Sequence, residues 1–365
     1  MSNRILVSTR KGLFTFDQTD ASWAITQTAF LGDPVTLTMT EDGGEKIRAA
    51  LDLGHFGCKI QESTDAGETW REAPCPEYPA KPEGKDDIDP VQQKPMPWDL
   101  KKIWAFGKGG DKLWCGTIPG GLFLSRDDGK SWSIVDSLWS DPLRSKWFGG
   151  GTDYPGIHSI VVDPQDSDHV TVGVSCGGVW KTRDGGETWS ICAKGMRANY
   201  MPPTEAFDEA IQDPHMIVSC PTVPEVMWCQ HHNGIFVTRD DCTSWQEIED
   251  VTPSTFGFAV AVHPRNPDRA WFIPAVKDEA RYPTDGKLLV NRTSDGGKTF
   301  EALTKGLPQS HSYDLIYRHA LAIDESGERL VFGSTTGSLW ITKNGGDTWD
   351  TLSNYLPPIY AVQFA

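Results

Sequence analysis

Three of the nine histidines of this chain share one position in a recurring pattern. His158 in "GIHSIVVDP", His215 in "HMIVSCP" and His319 in "HALAIDE" each stand six residues before the end of an apolar run, and Phe258 takes that place in "FGFAVAVHP". Imidazole is the commonest side-chain metal ligand. Three converging imidazoles with open coordination positions suit one divalent ion: Zn, Mn, Fe or Cu. The spacing therefore predicts a metal site from His158, His215 and His319, with Asp153, Glu205 or Asp213 as a further ligand. The competing expectation is that each imidazole hydrogen-bonds within its own strand seam. His231 and His232, in "QHHNG", would orient a ligand of the ion or a substrate.

Other chemistry-bearing residues crowd a few long segments between apolar runs: 72–100, 135–156 and 192–214, with 277–286 and 310–318. Carboxyl groups come from Asp153, Glu205, Asp208, Glu209 and Asp314. A glycosidase needs two of them about 5–5.5 Å apart for retention or about 6.5–9.5 Å apart for inversion. A metal-assisted lyase would instead acidify the proton beside a uronate carboxylate and use a His or Tyr base. The catalytic candidates are Asp153, Glu205, Glu209 and Tyr313. Arg197, Trp147, Tyr154, Arg281 and Arg318, with His231 and His232, are the candidate substrate contacts, because aromatics beside Arg and carboxylates suit a sugar or another polar small molecule. The alternative is that these are ordinary loop residues packed over strand ends.

The elements that must position these residues are written in a repeat. "STDAGETW", "SRDDGKSW", "TRDGGETW", "TRDDCTSW", "TSDGGKTF" and "TKNGGDTW" end at Trp70, Trp132, Trp189, Trp245, Phe300 and Trp349, and a worn copy ends at Trp23. Successive separations are 47, 62, 57, 56, 55 and 49 residues, a period expected of propeller blades. Each unit reads as strands A, B and C, the phrase, then strand D. The chain starts on a B strand, "NRILVST", and stops on "PIYAVQFA", which reads as an A strand. Pairing of residues 358–365 with the N-terminal blade would close the ring and leave no free edge. The expected fold is all-β: one seven-bladed propeller of four-stranded antiparallel blades over residues 1–365.

The phrase resembles the Asp-box, or bacterial neuraminidase repeat, Ser/Thr-x-Asp-x-Gly-x-x-Trp. Its hydroxyl and carboxylate are suited to bonding backbone N–H groups across the C–D turn, its Gly to a left-handed conformation, and its Trp to apolar burial between blades. Cys242 replaces Gly, Asn344 replaces Asp and Phe300 replaces Trp, which suits a structural clip. Sialidases, xyloglucanase-like glycosidases, sortilin-type receptors and photosystem II assembly factors share the repeat. The resemblance implies that box and active site lie on opposite faces, so the site is expected among the D–A and B–C loops. A true sialidase is disfavoured: the count is seven rather than six, Arg4 is followed by Ile-Leu rather than Ile-Pro, and nothing requires Arg10, Arg197, Arg281 and Arg318 to cluster. Xyloglucanase-like enzymes form their cleft between two propellers, and one is written here. The expected function is a carbohydrate-active enzyme, a glycoside hydrolase or metal-assisted lyase. The alternative is a non-catalytic platform for a protein or ligand.

The balance of 34 basic to 50 acidic residues gives a net charge of −16, which argues against nucleic-acid or anionic-membrane partners. No apolar run approaches the roughly 20 residues of a membrane span, and the N-terminal segment lacks the pattern of a signal peptide. Eight cysteines stand singly, several inside apolar runs. Buried free thiols and a cytoplasmic location are expected.

Overall fold

The computed structural model describes all residues but Met1, Ala21 and Lys85. Among the described residues, 28 strands form seven four-stranded antiparallel sheets. The protein is a seven-bladed β-propeller. Blade one pairs the C-terminal strand Ile359–Phe364 with Arg4–Thr9, followed by Gly12–Gln18 and Trp23–Ala29. Val7 faces Val362 and Ile5 faces Phe364. Ala21, within the worn first box, lies outside the described residues.

The chain divides into two compact units. One holds residues 1–53, 60–72 and 248–365, with a core that includes Ile5, Val7, Trp271, Phe332 and Val362. The other holds residues 54–59 and 73–247. Its cores include Trp114, Trp147, Val172 and Trp180, and Met227, Cys229, Phe236 and Trp245.

The repeated phrase does the mechanical work its residue types suggest. In the box ending at Trp70, the Gly67 N–H donates to Ser63 Oγ at 2.8 Å and the Thr69 N–H donates to Asp65 Oδ1 at 2.9 Å. The same two bonds recur in the five other full boxes at 2.8 to 3.1 Å. Asn344 keeps the accepting oxygen and so keeps the clip. In two boxes the aromatic leans on the preceding blade: Trp70 packs edge-on against Phe30 at 4.9 Å, and Trp245 Nε1 donates to the Cys192 carbonyl at 2.9 Å.

These clips make stability acid-sensitive. The Thr69, Ser131, Thr188 and Thr299 hydroxyls, aided by their own backbone N–H groups, hold Asp65, Asp127, Asp184 and Asp295 down at about 2, from a usual 3.8. A carboxyl with a depressed folded-state pKa stabilises above its unfolded value and loses that contribution as pH falls toward the folded one. The melting temperature should therefore fall between pH 3.8 and about 2 through these four groups. Asp184→Asn, which keeps the oxygen but does not titrate, should flatten that fall. An unchanged slope would count against the clips as its source.

The histidine register has a structural meaning that periodicity does not convey. In blades four and five it coincides with a β-bulge, the ladder skipping from Ile157 to Ser159 and from Pro214 to Met216. Trp104 holds the skipped position in blade three, as Thr36 does in blade two. A bulge leaves one residue unpaired and re-aims its side chain, so neighbours decide where each residue of the register points.

Candidate metal centre

Asp213, His215 and His232 come together in the unit built from blades three, four and five. His215 is the bulged residue of the A strand Pro214–Cys220, and Asp213 immediately precedes that strand. His232 stands on the turn after the B strand Val223–His231, where its N–H donates to the Asp213 carbonyl at 3.0 Å. Asp213 Oδ2 lies 3.4 Å from His215 Nε2 and 3.4 Å from His232 Nδ1. Among the described residues, these three form the grouping of His, Cys, Asp and Glu whose ligand atoms lie within 4.8 Å of one another. The group could hold a metal ion. Imidazole and carboxylate bonds of about 2.0–2.2 Å in tetrahedral geometry set ligand atoms roughly 3.3–3.5 Å apart, which matches both separations.

The surrounding shell holds the carboxylate in place. Ser175 Oγ donates to Asp213 Oδ1 at 3.1 Å, and the Cys176 N–H donates to the same oxygen at 3.2 Å. Oδ2 is thereby turned toward both imidazoles. The Asp213 N–H meets His231 Nε2 at 3.1 Å, and the Asn233 N–H meets His231 Nδ1 at 3.1 Å. Burial lowers His231 to about 3, from 6.5; a protonated ring would also set an N–H against each of those donors. His231 is therefore a neutral brace beneath Asp213.

Two long loops reach the centre. A Cβ on Gly150 would lie 2.3 Å from Cys176 Sγ and 3.8 Å from Asp213 Oδ2, so the 135–156 loop passes its backbone over the carboxylate. Asp89 braces that passage by accepting the Gly149 N–H at 2.6 Å, and Gln92 Nε2 donates to the Gly149 carbonyl at 2.8 Å. From the 192–214 loop, the Tyr200 ring packs edge-on to His232 at 4.8 Å. Asp213 and His215 are buried, whereas the His232 side chain is 24% exposed. Of the three, His232 is the one open to solvent.

His215 is common to this group and to the trio predicted from the register; His158 and His319 are not in it. His158 Nδ1 is 2.9 Å from Ser159 Oγ, and its ring packs edge-on to Trp104 at 5.5 Å. His319 belongs to the other compact unit, where its backbone bridges to Ala361. The Asp-x-His spacing of Asp213 and His215, with "HHN" on the adjoining turn, was the available signal.

The other predicted residues take varied roles. Arg197 makes a two-pronged pair with Glu247 at 2.9 and 3.1 Å. Glu209 accepts the Ala193 N–H at 2.8 Å. Burial pushes the Asp208 carboxyl up, but Lys146 and the Ala210 N–H together outweigh it and hold the group below its usual range. Asp153 and Glu205 are exposed, and Tyr154 is half-buried. In the other unit, Arg281 pairs with Asp278, and both Arg281 and Arg318 lie over the Phe258 ring at 5.3 and 5.2 Å. Tyr313 is exposed beside Tyr282.

Trp147 sits inside a core rather than on a loop surface, because its ring packs 5.7 Å from that of Trp180. Trp147→Ala should therefore cost about 3–5 kcal/mol of stability, as large-to-small core substitutions do. Denaturant unfolding measures this; a loss below about 1 kcal/mol would place the ring outside the core.

No protein-family model matches the chain. It is 23% identical over 273 residues to an oligoxyloglucan-reducing end-specific xyloglucanase from Emericella nidulans, a match covering 66% of this chain and 30% of that protein. A probable enzyme of the same description from Neosartorya fischeri is 24% identical over 269 residues, with the same coverages. The chain thus spans about a third of the length of the curated relatives it matches. Among solved structures, the GH74 xyloglucanase from Xanthomonas campestris superposes with a TM-score of 0.63 at 15% identity, covering 96% of this chain and 52% of that one. YCF48 bound to D1 peptide gives a TM-score of 0.53 at 16% identity, covering 87% and 82%. The likeness is one of fold. The chain is a seven-bladed propeller similar to GH74 xyloglucanases and to YCF48, the Asp-box kind of propeller that its repeated phrase resembles.

Proposed function

We propose that Asp213, His215 and His232 hold one divalent metal ion, and that the chain is a metal-dependent carbohydrate-active enzyme of the lyase kind. The observation carrying this reading is the shared oxygen: two imidazole nitrogens face Asp213 Oδ2 at 3.4 Å each. Two imidazoles and one carboxylate leave coordination positions open, and the donors suit Zn, Mn, Fe or Cu. Bound at such a position, a uronate carboxylate would have its adjacent proton acidified. The chain's own residues set the geometry: Ser175 and Cys176 aim the carboxylate, His231 braces it, and the exposed edge of His232 marks the approach. The distant likeness to xyloglucanases supports a sugar as the ligand.

A two-carboxylate hydrolase fits less well. Its general acid needs a raised pKa, whereas Asp208 is lowered, and one oxygen of Glu209 already accepts a backbone N–H. The decisive experiment combines metal analysis of the purified protein with a screen for unsaturated uronate and reducing sugar, with and without chelator. Stoichiometric metal and chelator-sensitive release of unsaturated sugar are expected. No metal and no turnover would favour the second reading, a binding platform for a protein or ligand. One observation supports that alternative: the likeness to YCF48 covers most of both chains.

A further inference from the structure

Cysteine stands in blade five where the repeated phrase otherwise has glycine. Cys242 takes a φ of +64°, the left-handed region in which Gly67, Gly129, Gly186, Gly297 and Gly346 lie in the other boxes. That conformation is costly for a residue bearing a Cβ. The seam geometry of the other blades shows what such a Cβ would meet. A Cβ on Gly186 would lie 3.6 Å from Val135 Cγ1, and one on Gly346 would lie 2.7 Å from Leu303 Cδ1. Val135 and Leu303 each stand three residues past the box aromatic of the preceding blade, Trp132 and Phe300. The residue three past Trp189 is Cys192.

The two cysteines meet accordingly. Both pack in the cluster of Met227, Cys229 and Phe236, where the Cys242 thiol donates to Met227 Sδ at 3.5 Å. Both line an open cavity of about 360 Å³, together with Lys181 and Lys194. The seam around them is pinned by the Trp245 N–H, which donates to the Lys194 carbonyl at 2.8 Å.

We propose that Cys192 and Cys242 are a covalent modification site, forming a reversible disulfide across the seam between blades four and five. The oxidant is a low-molecular-weight disulfide admitted by the cavity. The Cys192 thiolate attacks one of its sulfurs, its S–S bond breaks, and one small thiol leaves with a proton. The Cys242 thiolate then attacks the Cys192 sulfur and releases the second small thiol. Two protein thiols are oxidised to one S–S bond and one small disulfide is reduced to two thiols. The contact with Cys242, and then burial, keep the Cys192 thiol protonated, so the exchange is slow and pH-dependent. Cys192 also begins the segment leading to Asp213, and Ala193 is already tied to Glu209. The disulfide would fix the base of that segment.

The test uses the full chain, reduced and then incubated with oxidised glutathione. Two of the eight free thiols should disappear, with a mass loss of two hydrogens and one peptide pair joined through Cys192 and Cys242. Dithiothreitol should restore both thiols. Cys192→Val, which installs the residue of the neighbouring seam, and Cys242→Gly, which restores the box, should each fold and form no such link. Retention of all eight thiols in the wild type, or glutathione left attached to Cys192 without a cross-link, would overturn the proposal.

Discussion

Truncation after Ile359 should yield no soluble protein. The removed residues, 360–365, carry most of the strand that pairs Phe364 with Ile5, Gln363 with Leu6, Val362 with Val7 and Ala361 with Ser8. Ile5, Leu6 and Val7 are 0% exposed, and burying one such side chain is worth about 1.5–3 kcal/mol. Losing the cover of several, with a row of backbone bonds, approaches the whole stability of a typical domain, about 5–15 kcal/mol. It also leaves a bare apolar strand edge, a template for aggregation. The measurement is the soluble fraction on expression, with Val362→Ala as the milder control, expected to stay soluble and lose about 0.5–3 kcal/mol. A soluble, cooperatively unfolding truncation would mean that blade one stands on three strands.

Asp213→Asn should lower metal affinity at least about a hundredfold, more than the 10–100-fold typical of changes behind the ligands, while leaving the fold intact. The amide oxygen still accepts from Ser175 and Cys176, but the charge facing both imidazoles is gone. His215→Ala should lower occupancy as sharply, and His158→Ala and His319→Ala should not. A ligand that binds only the folded state raises stability by mass action, about 2.7 kcal/mol at a hundred times Kd. Added Zn or Mn should therefore raise the melting temperature of the wild type but not of Asp213→Asn. The readouts are metal content after dialysis and the melting shift. Equal occupancy in wild type and Asp213→Asn would remove Asp213 from the site and the proposed function with it.

The blade plan was legible in the amino-acid sequence because it is carried by local, repeated chemistry. Six copies of a hydroxyl, an acid or amide, a turn residue and an aromatic specify six C–D turns, and each closes on bonds within seven residues of chain. The pairing of residues 359–364 with the N-terminal blade followed from a strand deficit at one end and a surplus at the other. The centre was half legible. The register singled out His215, but it marks a bulge, and what a bulged side chain meets is set by residues distant in sequence. His158 turns to Ser159 and Trp104. His215 turns to Asp213, whose orientation depends on Ser175 and Cys176, 38 and 37 residues away. His232 joins through a turn that only the pairing of Pro214 with His231 brings alongside. Repeats fix what each blade does alone; the tertiary structure decides where loops and bulges of different blades converge, because those contacts have no period.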